Sequence, residues 1–200
     1  MKQLLLSSVL LLTVLLAGVG TTDAQEESQI VVITTRFGDI EVALNPTKAP
    51  NTTANFLKYM EAGHYDGGQF HRTVTPDNQP NDAVQIEVIQ ASINSEFAEK
   101  GFGALDLERT SVTGLEHLDG TISMARSTPN SATSSFFFCI GDQPELDFEG
   151  KRNPDGQGFA AFGQVIKGMD VVKKIQLSSQ GDNQRLIPPV RITRVARKSP

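Results

Sequence analysis

Ile30-Val31-Val32-Ile33-Thr34-Thr35, Phe37-Gly38-Asp39 and Ile40-Glu41-Val42-Ala43-Leu44 together decide the fold class. The first run is β-branched and reads as a strand. The glycine-centred triplet turns the chain, and the third stretch alternates apolar and other residues as the hairpin partner. Downstream, Asn45-Pro46 breaks the second strand. Asn51 is placed to cap a helix whose apolar face is Ala54, Phe56, Leu57 and Met60, with Gly63 ending it. Asn51-Thr52-Thr53 is also a formal glycosylation sequon, a second use for the same residues.

Short strands continue along the chain. They are expected within Tyr65–Val74, over Ile86–Gln90, near Leu105–Leu107, over Thr121–Met124 and Ser135–Ile140, and over Phe159–Ile166. Thr75 to Asp82 is dense in turn formers and reads as loop. Residues 92–120 show little periodicity. A short helix over Asp170–Ile175 carries cations in its last turn, and a final strand through Val190, Ile192 and Val195 follows Pro188-Pro189. Many short strands with two helices indicate an all-β barrel or sandwich with helical caps. No internal repeat or linker divides it.

Upstream of the hairpin, Lys2 and the apolar run Leu4–Val19 read as an export signal. Thr22-Asp23-Ala24 supplies small residues for cleavage before Gln25, so residues 1–24 are a signal peptide and 25–29 a polar leader. An uncleaved anchor helix is the competing reading of the same run. Removing the signal leaves about 175 residues, the size of one domain with a full core. The net charge of −5 and the lack of a basic stripe argue against nucleic acid as the main partner. Cys139 is the only cysteine, which excludes an internal disulfide, and its setting Phe136-Phe137-Phe138-Cys139-Ile140 is that of a buried apolar residue.

The common reaction motifs are missing. There is no phosphate-binding glycine loop ending in Lys-Ser or Lys-Thr, no His-Glu-x-x-His and no Gly-x-Ser-x-Gly. His64, His71 and His117 are not spaced as ligands on one element, so neither a metal nor a cofactor is expected. What the chain offers instead is Arg72 beside aromatic residues, Gln90 at a strand end and a run of three Phe. Taken singly, Arg72 could be a surface strand residue in a salt bridge, Phe137 ordinary core and Gln90 a solvated residue.

Phe70-His71-Arg72, Val88-Ile89-Gln90, Ile122-Ser123-Met124-Ala125, Ser134-Ser135-Phe136-Phe137, Phe162-Gly163-Gln164-Val165 and Gly168-Met169-Asp170-Val171-Val172 stand in the order and spacing of cyclophilin blocks. Over residues 30–196 the chain resembles that family. The resemblance implies a closed eight-stranded antiparallel barrel capped by two α-helices, binding proline-containing polypeptides in an outer groove and accelerating rotation about X-Pro bonds. It implies that Arg72 is the catalytic residue and that Phe137, Leu146 and Phe159 line the proline pocket, with Val88 where a larger apolar residue is usual. Gln90 matches a groove glutamine, and Ala125, Arg126 and Ser127 match the segment whose backbone pairs with peptide. Strand alternation agrees that Val88 and Gln90 share a face and that Phe137 faces away from Phe136 and Phe138.

Some positions depart from the family pattern. Thr75 to Val84 is longer than the usual turn, Glu87 replaces an aromatic residue, and Ser135 replaces a groove glutamine. Arg126 stands for an asparagine, Phe159 for a pocket histidine and Glu145 for the indole that helps bind cyclosporin. Glu145 predicts weak binding of that drug, which nanomolar inhibition of the purified protein would overturn. The expected protein is an exported isomerase assisting folding, periplasmic or otherwise secreted, monomeric and without membrane contact once its signal is removed. A proline-peptide binding module or holdase with vestigial catalysis is the alternative, and an inert β-barrel scaffold a third reading.

Overall fold

A computed structural model describes residues 29–178, 181 and 183–199. The signal peptide and nearly all of the polar leader lie outside the described residues. The strands are β1 (Gln29–Thr35), β2 (Gly38–Leu44), β3 (Gln69–Val74), β4 (Val88–Ser92), β5 (Thr121–Met124), β6 (Phe136–Cys139), β7 (Ala160–Lys167) and β8 (Arg185–Arg197). They pair antiparallel in the closed order β1-β2-β7-β5-β6-β4-β3-β8, so the architecture is a barrel and not a sandwich. The opening hairpin pairs Ile30 with Ala43 and Thr35 with Gly38, leaving Arg36-Phe37 as a two-residue loop.

Helices α1 (Pro50–Glu61) and α3 (Met169–Gln176) each bury one face in the barrel core. Phe56 of α1 packs against the rings of Tyr65, Phe136 and Phe162, with centroids 5.0–5.5 Å apart. Val171, Val172 and Ile175 of α3 join the same core. Each large ring removed from water contributes on the order of 2–3 kcal/mol, and the edge-on contact of Phe56 with Phe136 and its stacking on Tyr65 add to that. Gly63, at φ +72°, follows the end of α1, where the left-handed backbone lets the Gly63 and His64 amides return to the Met60 and Tyr59 carbonyls.

Four sequence expectations are corrected. Asn51 does not cap α1. Ala49 holds the cap position, Pro50 opens the helix, and the free Asn51 and Thr52 amides donate to the two carboxylate oxygens of Glu108 at 3.1 and 2.8 Å. A carboxylate there also meets the positive end of the helix dipole. The strand expected near Leu105–Leu107 is a single bridge, Leu105 to Ala132. Residues 92–120 instead hold a 3-10 turn, Ser95–Phe97, and a one-turn helix α2 (Thr110–Thr113). The last strand begins before Pro188-Pro189, at Arg185, and runs through both prolines. Ile86, Glu87, Ser135, Ile140 and Phe159 fall just outside their expected strands.

Candidate active site

Alternation along β3 places Phe70 and Arg72 on the same face, and Phe70 is fully buried in the barrel interior. A bulge prevents Arg72 from following it. Against β4 the register shifts between Phe70 and Arg72, which pair with the successive residues Ala91 and Gln90, so His71 is the extra residue; against β8 the surplus residues lie on β8, between Arg185 and Val190. A bulge redirects the side chains beyond it. Arg72 and Val74 therefore lie on the outer face, opposite Gln90 and Val88 of β4.

The register carries that row onward. Gln90 pairs with Phe137 on β6, and Phe137 pairs with Ser123 on β5. Phe136 and Phe138 belong to the interior core. Phe137 belongs to a second apolar cluster with Val74, Ile86, Val88, Cys139 and Leu146, against which Ala125 and Phe159 pack. A pocket of about 240 Å³ opens on this cluster, lined by Arg72, Ile86, Val88, Gln90, Ala125, Arg126, Phe137, Leu146, Arg152, Asn153 and Phe159. Eight of the ten residues nominated from sequence thus meet in one pocket. Ser127 and Ser135 line an adjoining hollow that shares Gln90, Ala125 and Arg126.

Arg72 donates through Nη1 to Gln90 Oε1 at 3.0 Å, and through Nε and Nη2 to Gln184 Oε1 at 3.0 and 2.6 Å. Both partners are neutral amides, so the guanidinium is oriented without being neutralised. Burial lowers its pKa from the ordinary value; the charge of Arg152 adds to the lowering and Asp82 opposes it. Arginine nonetheless stays protonated in proteins.

Arg126 takes a role that its family position does not imply. Its fork grips Asp155 with two 2.8 Å bonds, its Nε donates to the Gly158 carbonyl, and its guanidinium lies 5.0 Å from the Phe159 ring centre. The bonds from Arg126 hold the Asp155 carboxyl at a pKa of about 2. Arg126 therefore braces the loop that carries Phe159, leaving its backbone beside the groove.

Beneath Phe137 lies a buried polar chain. His117 Nδ1 lies 2.6 Å from a carboxylate oxygen of Asp147, and Nε2 lies 2.9 Å from the Ser123 hydroxyl. Ser, His and Asp in this order suit nucleophilic catalysis, but Ser123 is fully buried and the Phe137 ring lies parallel over the imidazole, 6.0 Å between centres. The chain supports the ring. Cys139 is likewise buried, with its thiol pKa pushed up by desolvation and then by nearby carboxylates, so it has no thiolate character.

Sequence reading missed Ile86, Arg152 and Asn153 in the pocket and Gln184 on the arginine. Arg152 ties the long Thr75–Val84 loop to the pocket rim by donating to Gln79, Asp82 and the Val84 carbonyl. Gln79, itself buried, pins the same loop to Ile86. Only the unusual length of that loop hinted at these partners.

Residues 30–197 match the family described as cyclophilin type peptidyl-prolyl cis-trans isomerase/CLD. The chain is 39% identical over 153 residues to "Peptidyl-prolyl cis-trans isomerase A" of Dickeya dadantii, covering 76% of this chain and 73% of that protein. It is 32% identical over 148 residues to "Peptidyl-prolyl cis-trans isomerase B" of Escherichia coli, covering 74% and 84%. Among solved structures, a Cryptosporidium parvum cyclophilin type peptidyl-prolyl cis-trans isomerase, determined in the presence of the dipeptide Ala-Pro, superimposes with a TM-score of 0.70. It is 22% identical, covers 86% of this chain and all of that one, and shares the fold.

Proposed function

The chain belongs to the cyclophilin-type peptidyl-prolyl cis-trans isomerases and is an isomerase of X-Pro bonds; on that premise we propose that Arg72 is its catalytic group and the Phe137 pocket its seat for proline. The observation that carries this reading is the bulge at His71, which brings a charged, amide-held guanidinium out of the barrel to the rim of a pocket floored by the apolar cluster around Phe137.

The X-Pro amide resists rotation by roughly 18–20 kcal/mol because the nitrogen lone pair is delocalised into the carbonyl. In the twisted state that delocalisation is lost, and the nitrogen becomes pyramidal and able to accept a hydrogen bond. Arg72 donates to it there and has no such acceptor in either planar state, so the contact lowers the barrier without tightening ground-state binding. Phe137, Leu146 and Val88 hold the pyrrolidine ring while the acyl side turns. Gln90 fixes one side of the guanidinium. No proton is transferred, so His71 and the buried His117 need take no part.

The substrates of this reading are proline-containing polypeptides, and Ala-Pro, the dipeptide present with the Cryptosporidium protein, is a suitable first probe. The apolar run Leu4–Val19 supports an exported enzyme acting on clients outside the cytoplasm, in the periplasm or beyond. Fractionation and N-terminal sequencing are expected to find a mature chain starting at Gln25 there; an intact Met1 in the cytoplasm would refute export. A monomer is expected by light scattering.

The catalytic assignment is tested by cis-to-trans relaxation of a short Ala-Pro peptide with the purified domain. Arg72→Ala is expected to lower the rate constant about 100- to 1000-fold, the loss typical of one transition-state donor, while peptide affinity stays within a fewfold. Relaxation unchanged by folded wild-type protein across several X residues would leave only a binding groove, and the holdase reading would replace this one.

A further inference from the structure

Gln184 lies 112 residues from Arg72 in sequence, yet its single amide oxygen accepts both Nε–H and Nη2–H of the guanidinium. The opposite end of the same amide donates to the Asn78 carbonyl at 3.2 Å. Asn78 is itself fixed, donating to the Thr73 carbonyl and accepting from the Thr75 amide, both at 3.0 Å. Arg72 is thus held on one side by Gln90 of β4 and on the other by a chain running through Gln184 into the long loop after β3.

The backbone at Gln184 is itself informative. Asn183 and Gln184 have φ of 57° and 64°, a left-handed conformation that side chains with a Cβ rarely adopt. Glycine would fit there without strain, yet a glutamine occupies the site. Such strain persists where the surrounding structure over-determines it, and it clusters at functional sites. The main chain does not need the amide, because the Thr73 N–H donates to the Gln184 carbonyl at 2.9 Å whatever the side chain is. The strained geometry aims the side chain at Arg72.

We propose that Gln184 is a positioning residue of the isomerase: it orients the Arg72 guanidinium for the twisted amide, with the Asn78 loop as its backing. The inference rests on the reading of Arg72 as the catalytic group. A neutral amide suits the task, since it orders the fork while leaving the positive charge undiminished for the reacting nitrogen. The extended loop, which departs from the usual short turn, thereby gains a function as the anchor of the clamp.

The test compares Gln184→Gly, Gln184→Ala, Arg72→Ala and the double variant Arg72→Ala/Gln184→Ala, by exchange of an Ala-Pro peptide and by its binding affinity. Gln184→Gly removes the amide and relaxes the backbone, so its melting temperature is expected to equal or exceed that of the wild type. Its turnover is expected to fall about tenfold with affinity unchanged, because misplacing a transition-state donor acts on turnover and not on binding. Gln184→Ala, which keeps the strain, is expected to lose the same turnover, and the double variant to be no slower than Arg72→Ala alone. Wild-type turnover in both single Gln184 variants, beside an impaired Arg72→Ala, would overturn the inference and leave the Arg72 assignment standing. A fully active Arg72→Ala would overturn the assignment itself.

Discussion

Phe136, Phe137 and Phe138 are successive residues of one four-residue strand, all nearly excluded from water, and they serve two different regions. Phe136 and Phe138 point inward, where Phe136 meets Phe56, Tyr65 and Phe70 and both rings stack into a sealed aromatic interior. Phe137 points outward, where it meets Phe159 edge-on and covers the His117 ring. The interior cluster is built of aliphatic and aromatic side chains and carries no charged group. The outer cluster is a thin apolar floor bordered by Arg72, Gln90, Arg126 and Arg152. Burial alone therefore does not separate scaffold from site in this molecule; what separates them is whether charged groups are held at the rim.

The widest separation between the regions is expected from truncating each ring. Phe138→Ala is expected to cost about 3–5 kcal/mol in denaturant unfolding, since the closed interior cannot collapse around the void. Phe137→Ala leaves a hollow that the open pocket fills with water, and roughly 1–2 kcal/mol is expected. Its larger consequence is catalytic, with peptide exchange slowed by at least tenfold. Equal destabilisation by the two substitutions would break the comparison.

A smaller effect probes the scaffold away from the groove. Glu108→Ala removes the acceptor for the first amides of α1 and is expected to cost about 1 kcal/mol, as losing a helix cap does, without changing Ala-Pro turnover. A change in turnover would show that α1 communicates with the groove. The smallest effect concerns the brace of Phe159. The Asp155 carboxyl, lowered from 3.8 to about 2 by Arg126, contributes stability that is present above its ordinary pKa and is lost as pH falls towards 2. A carboxyl titration followed by NMR is expected to place its midpoint near 2, and Arg126→Gln to return it towards 3.8. A midpoint near 3.8 in the unaltered protein would dissolve the brace.

The two regions were also unequally legible in the sequence. Ile30–Leu44 and the Phe triplet announce their strands because a half-buried sheet imposes a period of two. Alternation sorts Val88 from Ile89, and Phe137 from its neighbours, correctly. It fails at Arg72, because the same rule turns that residue inward; only a bulge reverses it, and a bulge leaves no local mark in Phe70-His71-Arg72. The Arg72–Gln184 bond and the capping of Asn51 by Glu108 join residues 112 and 57 positions apart. No pattern along the chain encodes them. Residues 92–120 resisted reading for a related reason, since a lone bridge and single helical turns are ordered by their tertiary partners and have no periodicity of their own.

The closed strand order bears on how such an enzyme survives its own substrates. Unfolded chains carry unpaired backbone that adds readily to any open sheet edge, where identical hydrogen bonding lets one addition template the next. Here β1 is paired on both sides, to β2 and to β8, and every other strand likewise has two neighbours. Among the described residues the barrel offers a client no strand to extend. On the proposed reading a captured segment lies in the outer groove, and among the described strands no open edge is left along which an aggregating chain could join.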